Sequence, residues 1–271
     1  MENTRIALIT CRCAAGDIRH NLDITAGWAR KAKAAGATMA CFPEMNISGY
    51  GLDFENYEKA ADLFGDVVNA LSALAVSEDI TVLAGTIKKS QDGKSFLPCH
   101  LVARPDGEAG TYFKLHIAPP EAAMFVPGDT VPMFDGPGAR FGIQLCYDAH
   151  FPELSTRMAL DGADLIFFPH ASPRGDTGQE KYASWMRHLT ARAFDNGLFV
   201  AACNQSGNNG RGMDFPGLAL VIGPDGKVVD KRLAPDAMLV VDLAAEALSA
   251  VRDHRMRYFL PHRRPDVYGI V

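Results

Sequence analysis

The stretch ARFGIQLCYDAHFPEL, residues 139–154, carries the reading of the fold. It is an apolar strand over Phe141 to Leu145, then a thiol at Cys146, then a few polar residues, then Pro152 as the first residue of a helix running to about Leu160. A thiol at a strand exit near a helix start meets free backbone N–H groups and the positive end of the helix dipole, which favour the thiolate. Taken alone, a cysteine that closes an apolar strand is more often a small buried residue. It needs partners to become a nucleophile.

On both sides of this stretch strand alternates with helix. After it come a strand over Asp164 to Phe168, a helix over Gln179 to Asp195 and a strand over Leu198 to Cys203. Before it, a strand over Arg5 to Thr10 is followed from Asp17 by Ile18, Leu22, Ala26, Ala29 and Ala32 at helical spacing, with Gly36 as the cap. A second strand over Thr38 to Phe42 stops at Pro43, a helix spans Asp66 to Asp79, and a third strand spans Ile80 to Ile87. The pattern is an α/β layer fold. The exits Cys41-Phe42-Pro43-Glu44 and Phe167-Phe168-Pro169-His170 echo one another, so the chain reads as one pseudo-repeated domain over residues 1–271. Pro105-Asp106-Gly107 and Pro224-Asp225-Gly226 supply hairpin turns whose strands should extend two sheets. The tail from about residue 252 to 271, rich in Arg, His and aromatics, reads as an ordered arm holding a partner subunit.

Bulk composition narrows the partners. At 271 residues and 48% hydrophobic content the chain can bury a large core, and a net charge of −5 gives no attraction to nucleic acid or anionic lipid. A small metabolite is the easier partner. The start MENTRIALIT lacks the basic, then apolar, build of a signal peptide, and no window approaches the roughly 18 apolar residues of a membrane span. A cytoplasmic protein without membrane contact is expected. Cys11, Cys13, Cys41, Cys99, Cys146 and Cys203 are scattered through apolar runs, as reduced thiols are, and a disulfide framework is not expected. Cys11 and Cys13 are too tightly spaced for a zinc finger and no second pair follows, so neither metal nor cofactor is expected.

Two further residues stand where loops build sites. Glu44 follows the apolar run Met39 to Phe42 and Pro43 at a sheet edge, and Lys114 stands inside an alternating strand in Tyr112-Phe113-Lys114-Leu115-His116. Either could be a solvated charge by itself.

The combination resembles the nitrilase, or carbon–nitrogen hydrolase, superfamily. The resemblance rests on Phe42-Pro43-Glu44 with Ser48-Gly49-Tyr50, on Tyr112, Lys114 and His116 with Glu121 seven residues on, and on Cys146-Tyr147-Asp148 through Phe151-Pro152-Glu153. Arg192-Ala193-Phe194-Asp195-Asn196, Asn204-Gln205 and the closing Arg263 to Tyr268 are weaker marks. It implies a four-layer α-β-β-α sandwich, a homodimer or higher homo-oligomer that pairs through the helix after Cys146, and a catalytic set of Glu44, Lys114, Cys146 and Glu121. It implies that Cys146 attacks, Glu44 moves protons, Lys114 and the Tyr147 N–H hold the oxyanion, and Glu121 accepts from the substrate nitrogen. The substrate would be a small amide, as in an omega-amidase, or a carbamoyl compound; a nitrile is the alternative, although true nitrilases usually carry Trp-Glu where Tyr147-Asp148 stands. A non-catalytic binding protein would not need all four groups. Tyr50, Tyr147, His150, Phe151, His170 and Arg174 are the candidate substrate contacts, Arg174 as a bidentate partner for a carboxylate. Phe151, Tyr50 and Trp185 could form an apolar wall or simply pack. His150 stands where many amidase-like members carry Arg, and Ala219 where many carry Ser.

Overall fold

The computed structural model describes residues 1–173 and 177–269. Each half of the chain builds the same βαβ arrangement. In the first, β1 (Thr4–Thr10), α1 (Ile18–Ala34), β2 (Met39–Cys41), α2 (Phe54–Asp62), α3 (Phe64–Glu78) and β3 (Thr81–Lys89) set three parallel strands side by side. The hairpin of β4 (Phe96–Ala103) and β5 (Ala109–Phe113) extends them antiparallel. In the second, β6 (Phe134–Gly136) pairs with β7 (Ala139–Ile143), and α4 (Pro152–Leu160), β8 (Leu165–His170), α5 (Gly178–Met186), α6 (Leu189–Asn196) and β9 (Phe199–Asn204) follow. A small hairpin of β10 (Gly207–Asn208) and β11 (Asp214–Phe215) precedes β12 (Ala219–Ile222), β13 (Val228–Arg232), β14 (Ala237–Leu243), α7 (Ala245–Arg252) and the short α8 (Pro265–Tyr268).

The strand orders are β14-β1-β2-β3-β4-β5 and β13-β12-β9-β8-β7-β6. Thus β7, β8, β9, β12 and β13 match β1 to β5 in order, and β14 flanks β1 as β6 flanks β7. The repeat heard in the two strand exits is a repeat of topology.

Alternating side chains assign the layers. Along β1, Ile6 and Leu8 enter the core between the two sheets with Phe141, Ile143 and Phe167, while Ala7 and Ile9 face the other way onto Ala29 and Ala32 of α1. Leu154 and Met158 of α4 and Leu189 and Ala193 of α6 cover the outer face of the second sheet. The result is the expected four-layer α-β-β-α sandwich. Because both faces of the inner strands are covered, β8 and β9 are buried at every position and read as continuous apolar runs. Among the described residues no single helix is long and apolar enough to cross a membrane.

Two local expectations need correction, and one helix carries no expectation. The single helix over Gln179 to Asp195 is two helices broken at Arg187–His188, where His188 leaves helical geometry at φ −129°. One straight stripe cannot serve both ends: Trp185 of α5 reaches the His170 ring, while Leu189, Arg192 and Ala193 of α6 pack inward. Lys114 is the first residue beyond β5 rather than inside it, although its N–H still donates to the Pro98 carbonyl at 2.9 Å. The helix α2, capped by Asp53 on the Asn56 N–H, was not foreseen at all.

The turn that carries Cys146 is built by Asp148. After β7, residues Cys146–His150 form one 3-10 turn that leads into α4, with Pro152 at its first position. Asp148 is wholly buried. Its Oδ2 accepts from the Leu145 N–H at 2.9 Å and the Tyr112 hydroxyl at 2.8 Å. Its Oδ1 accepts from the His116 N–H and faces His116 Nδ1, both at 2.8 Å. One carboxylate thereby ties the second half's turn to the end of β5 in the first half. In Asp148→Asn an NH₂ must face donors that need an acceptor, so the variant should lose roughly 3 kcal/mol of stability. Urea unfolding checks this, and an unchanged midpoint would count against the tie.

Candidate active site

Parallel strands leave their sheet at one edge, and loops beyond that edge form crevices. Here Glu44 follows β2, Lys114 follows β5, Cys146 follows β7 and Ala171 follows β8, so both sheets deliver residues to one place. Pro43 closes β2, and Met45 at φ 53° turns the chain back on itself. Gly85 of β3 permits this turn: a Cβ there would stand 2.3 Å from the Met45 nitrogen. Asn46 then accepts from the Gly85 N–H at 2.7 Å and fixes the turn on the sheet.

Cys146 also has a positive φ, 44°. A non-glycine residue held there costs on the order of 1–3 kcal/mol, and such strain persists only where the surroundings enforce it. Asp148 and the β7–α4 connection do so. Tyr147 is the second residue of the turn, ahead of the first intrahelical acceptor, so its N–H belongs to the free donors of a helix start.

Three charges meet beside the thiol. Lys114 Nζ lies 2.8 Å from Glu44 Oε1 and 2.9 Å from Glu121 Oε2, and Glu44 and Lys114 are each 1% exposed. Glu44 Oε2 accepts from the Ala171 N–H at 3.0 Å, and the Glu44 carbonyl accepts from Gln205 Nε2 at 2.8 Å. Glu121 accepts from the Tyr50 hydroxyl at 2.7 Å and from the Ala118 N–H at 3.2 Å. Each carboxylate is satisfied by fixed donors, as burial of charge requires.

The electrostatics follow from this crowding. Burial lifts the Glu44 carboxyl above its usual range and Glu121 adds to it, while Lys114 and the Ala171 N–H pull against them. Burial opposes the charge on Lys114, but Glu44, the thiol and Glu121 together push its pKa up, so it stays an ammonium. Burial pushes the Cys146 thiol up, Glu44 pushes it further, and Lys114 only partly opposes them. The resting sulfur therefore keeps its proton. The helix start that favours a thiolate is thus outweighed by burial and by Glu44. What sets Cys146 apart is access: it is half-buried while the other five thiols are buried.

The remaining expected residues scatter around this centre. Tyr50 joins it directly through Glu121. Tyr147 stands edge-on to His150 and Phe151, each 5.5 Å away, and Phe151 stacks on His116 at 3.7 Å. His150 is exposed, with its ring 4.8 Å from that of His188, and burial holds His188 down to about 4. His170 packs against Trp185 at 4.3 Å with Nδ1 on the Phe168 carbonyl at 2.8 Å; it is the backbone of the next residue that reaches Glu44. Ala219 is buried in β12 opposite Cys203, a packing position. Arg174 lies outside the described residues. Among the described residues no three His, Cys, Asp or Glu side chains could hold a metal ion. Sequence reading assigned no role to Asp148, Ala171 or Asn204. The first lay inside a quoted motif and the last closed an apolar strand, but the Ala171 donor is a peptide N–H and leaves no side-chain signal.

Comparison with known proteins agrees with this geometry. A family described as carbon-nitrogen hydrolase matches residues 5–253. Omega-amidase NIT2 of Homo sapiens is 28% identical over 280 residues, covering 100% of this chain and 98% of that protein. An (R)-stereoselective amidase of Pseudomonas sp is 28% identical over 251 residues, covering 92% and 88% of the two chains. The crystal structure of an amidase from Nesterenkonia sp. matches with a TM-score of 0.85 at 27% identity, covering 99% of this chain and 96% of that one. With the family match running through nearly the whole chain, the protein belongs to the carbon–nitrogen hydrolase family of the nitrilase superfamily.

Proposed function

We propose that the protein is a small-molecule amidase in which Glu44, Lys114 and Cys146 form a catalytic triad with Glu121 beside it. One observation carries the reading: a buried lysine held between two buried carboxylates, next to a strained cysteine at a strand exit. A fold does not need that arrangement, since apolar side chains would fill the same space without three desolvated charges. The relatives point the same way. For the Nesterenkonia amidase, a mutant structure is described as the result of Michael addition of acrylamide at the active site cysteine, and another mutant is in complex with butyramide.

The chemistry follows from which groups can hold a proton. Glu44, in its ionised form, takes the proton from the Cys146 thiol as the sulfur attacks the amide carbon. Lys114 Nζ and the Tyr147 N–H receive the developing oxyanion, each donor contributing about 3 kcal/mol. Glu44 returns its proton to the departing nitrogen, which leaves as ammonia or an amine, and a thioester remains on Cys146. Water then attacks the thioester, Glu44 takes a proton from it, and collapse of the second intermediate frees the acid and restores the thiol. Glu121 accepts from the substrate NH₂ and is held in place for that task by Lys114, the Ala118 N–H and Tyr50. Tyr147, His150 and Phe151 form one flank of the substrate path and Tyr50 the other, while His170 supports the floor through Trp185. An omega-amide or an N-carbamoyl amine is the proposed substrate class.

The proposed setting is the cytoplasm, in keeping with six free thiols among the described residues. We propose a single catalytic domain that works as a homodimer, with α4 and the arm from about residue 252 at the interface. Leu160 of α4 and Phe259 and Tyr268 of the arm are exposed, with Phe259 packed on the exposed Phe194 of α6.

Three outcomes test these readings. Cys146→Ala and Cys146→Ser should fold normally and lose at least roughly a thousandfold in ammonia release from small amides; wild-type turnover in either would end the proposal. The acid limb of kcat/KM should lie above the ordinary glutamate value of about 4.3, because Glu44 must be ionised and its carboxyl is raised. Activity should thus fall as pH drops through that higher value, and a limb at or below the ordinary one would contradict Glu44 as base. Deleting residues 256–271 should weaken association in light scattering, whereas a fully dimeric truncated chain would remove the arm from the interface.

A further inference from the structure

Glu44 has a backbone donor whose own support lies in neither motif. The Ala171 N–H reaches Glu44 Oε2 at 3.0 Å, and its dipole favours the neighbouring Cys146 thiolate against burial. Ala171 is the first residue beyond β8, where no further strand pairing orders the chain: the last register partners of β8 and β9 are His170 and Asn204. Yet the donor is pinned from the far side. The His170 carbonyl accepts from the Gln205 N–H at 3.3 Å, on the β9 side. A trans peptide directs its N–H opposite to its C=O, so the Ala171 N–H must face the β7 side, where Cys146 follows β7.

The next peptide groups are held by the Asn204 side chain. Its Oδ1 accepts from the Ser172 N–H at 2.9 Å, and its Nδ2 donates to the Ser172 carbonyl at 3.0 Å and to the Pro216 carbonyl at 3.2 Å. A backbone N–H can only donate and a carbonyl can only accept, so the amide orientation is fixed. Asn204 is fully buried and continues the β8–β9 ladder one step past its end. Lys181, 4% exposed on α5, donates from Nζ to Ser172 Oγ at 2.7 Å and holds the same residue from outside.

We propose that Asn204, backed by Lys181 through Ser172, is a positioning residue of this enzyme that clamps the Ala171–Ser172 turn and thereby aims the Ala171 N–H at Glu44, next to Cys146. The proposal rests on the reading of these two as base and nucleophile. It adds a component supplied by β9 and α5, remote from the three motifs, and explains why two buried polar side chains are spent on one residue of a strand exit.

The clamp is tested on Cys146 alkylation by iodoacetamide, which needs no substrate. The charged and titratable groups facing the sulfur are Glu44 after β2, Lys114 after β5, Glu121 and, behind it, Tyr50. None of them is altered in Asn204→Ala. Losing an aimed N–H destabilises both anions, so the pH midpoint of labelling should rise by about one unit, with labelling about tenfold slower below it. The acid limb of kcat/KM should move up as well. Ser172→Ala, at a half-buried position, should shift both in the same direction by less, and Ser172→Thr, which keeps the hydroxyl, should restore wild-type values. A folded Asn204→Ala with an unmoved midpoint overturns the proposal. Should that variant fail to fold, an unmoved midpoint in Ser172→Ala overturns it instead. Absence of amide turnover in the wild type would count against the amidase reading alone, because the labelling midpoint still reports on the clamp.

Discussion

The contact between Lys114 and the carboxylates of Glu44 and Glu121 constrains everything around it. Three charges lie almost out of reach of water, and their mutual attraction repays the lost hydration only if every remaining lone pair finds a donor. The surroundings supply those donors from separate parts of the chain: the N–H groups of Ala171 and Ala118 and the hydroxyl of Tyr50. Removing one partner of such a pair typically costs about 3–5 kcal/mol, so the set is kept or lost as a unit. Because two carboxylates face one ammonium, the site carries an excess of negative charge. Burial, with Glu44 beside it, keeps the thiol protonated, and burial together with Glu121 lifts the Glu44 carboxyl against the pull of Lys114.

The two-fold repeat of topology explains how such a site can exist between two sheets. The second strand of each half ends in Phe-Pro, and the two exits meet: Glu44 from one half accepts the Ala171 N–H from the other. Asp148 makes a second link across the halves, and Gln205 on the Glu44 carbonyl a third. Corresponding positions have diverged in chemistry while retaining their place. One exit carries Glu44, and the other carries a histidine packed on Trp185 and a peptide donor beside it.

Strain is placed where it is useful. Met45 and Cys146, the residues just after the proposed base and at the proposed nucleophile, both have positive φ. Glycine would relieve the cost at either position but would leave the turn floppy and, at Cys146, remove the thiol. The enforcement comes from Gly85 and Asn46 in one case and from Asp148 in the other.

The sequence by itself determined the alternation of strands and helices, the repeat, the strand-exit positions of Glu44 and Cys146, and the family resemblance. These are carried by periodicity and by local motifs, in which a few neighbouring residues settle the outcome. It also marked Tyr50 and Glu121, which the fold joins by one hydrogen bond. Local pattern was weaker where a helix must serve two partners, as at the break between α5 and α6, and where a strand ends, as at Lys114 one residue past β5. Only the tertiary structure decided the proton on Cys146, because its pKa depends on burial and on charges delivered from residues 32 and 102 positions away in the chain. It alone decided the work of Asp148, Ala171 and Asn204 too. Their roles are hydrogen bonds to peptide groups across the sheet edge, and a peptide group looks the same at every residue until the fold brings a partner to it.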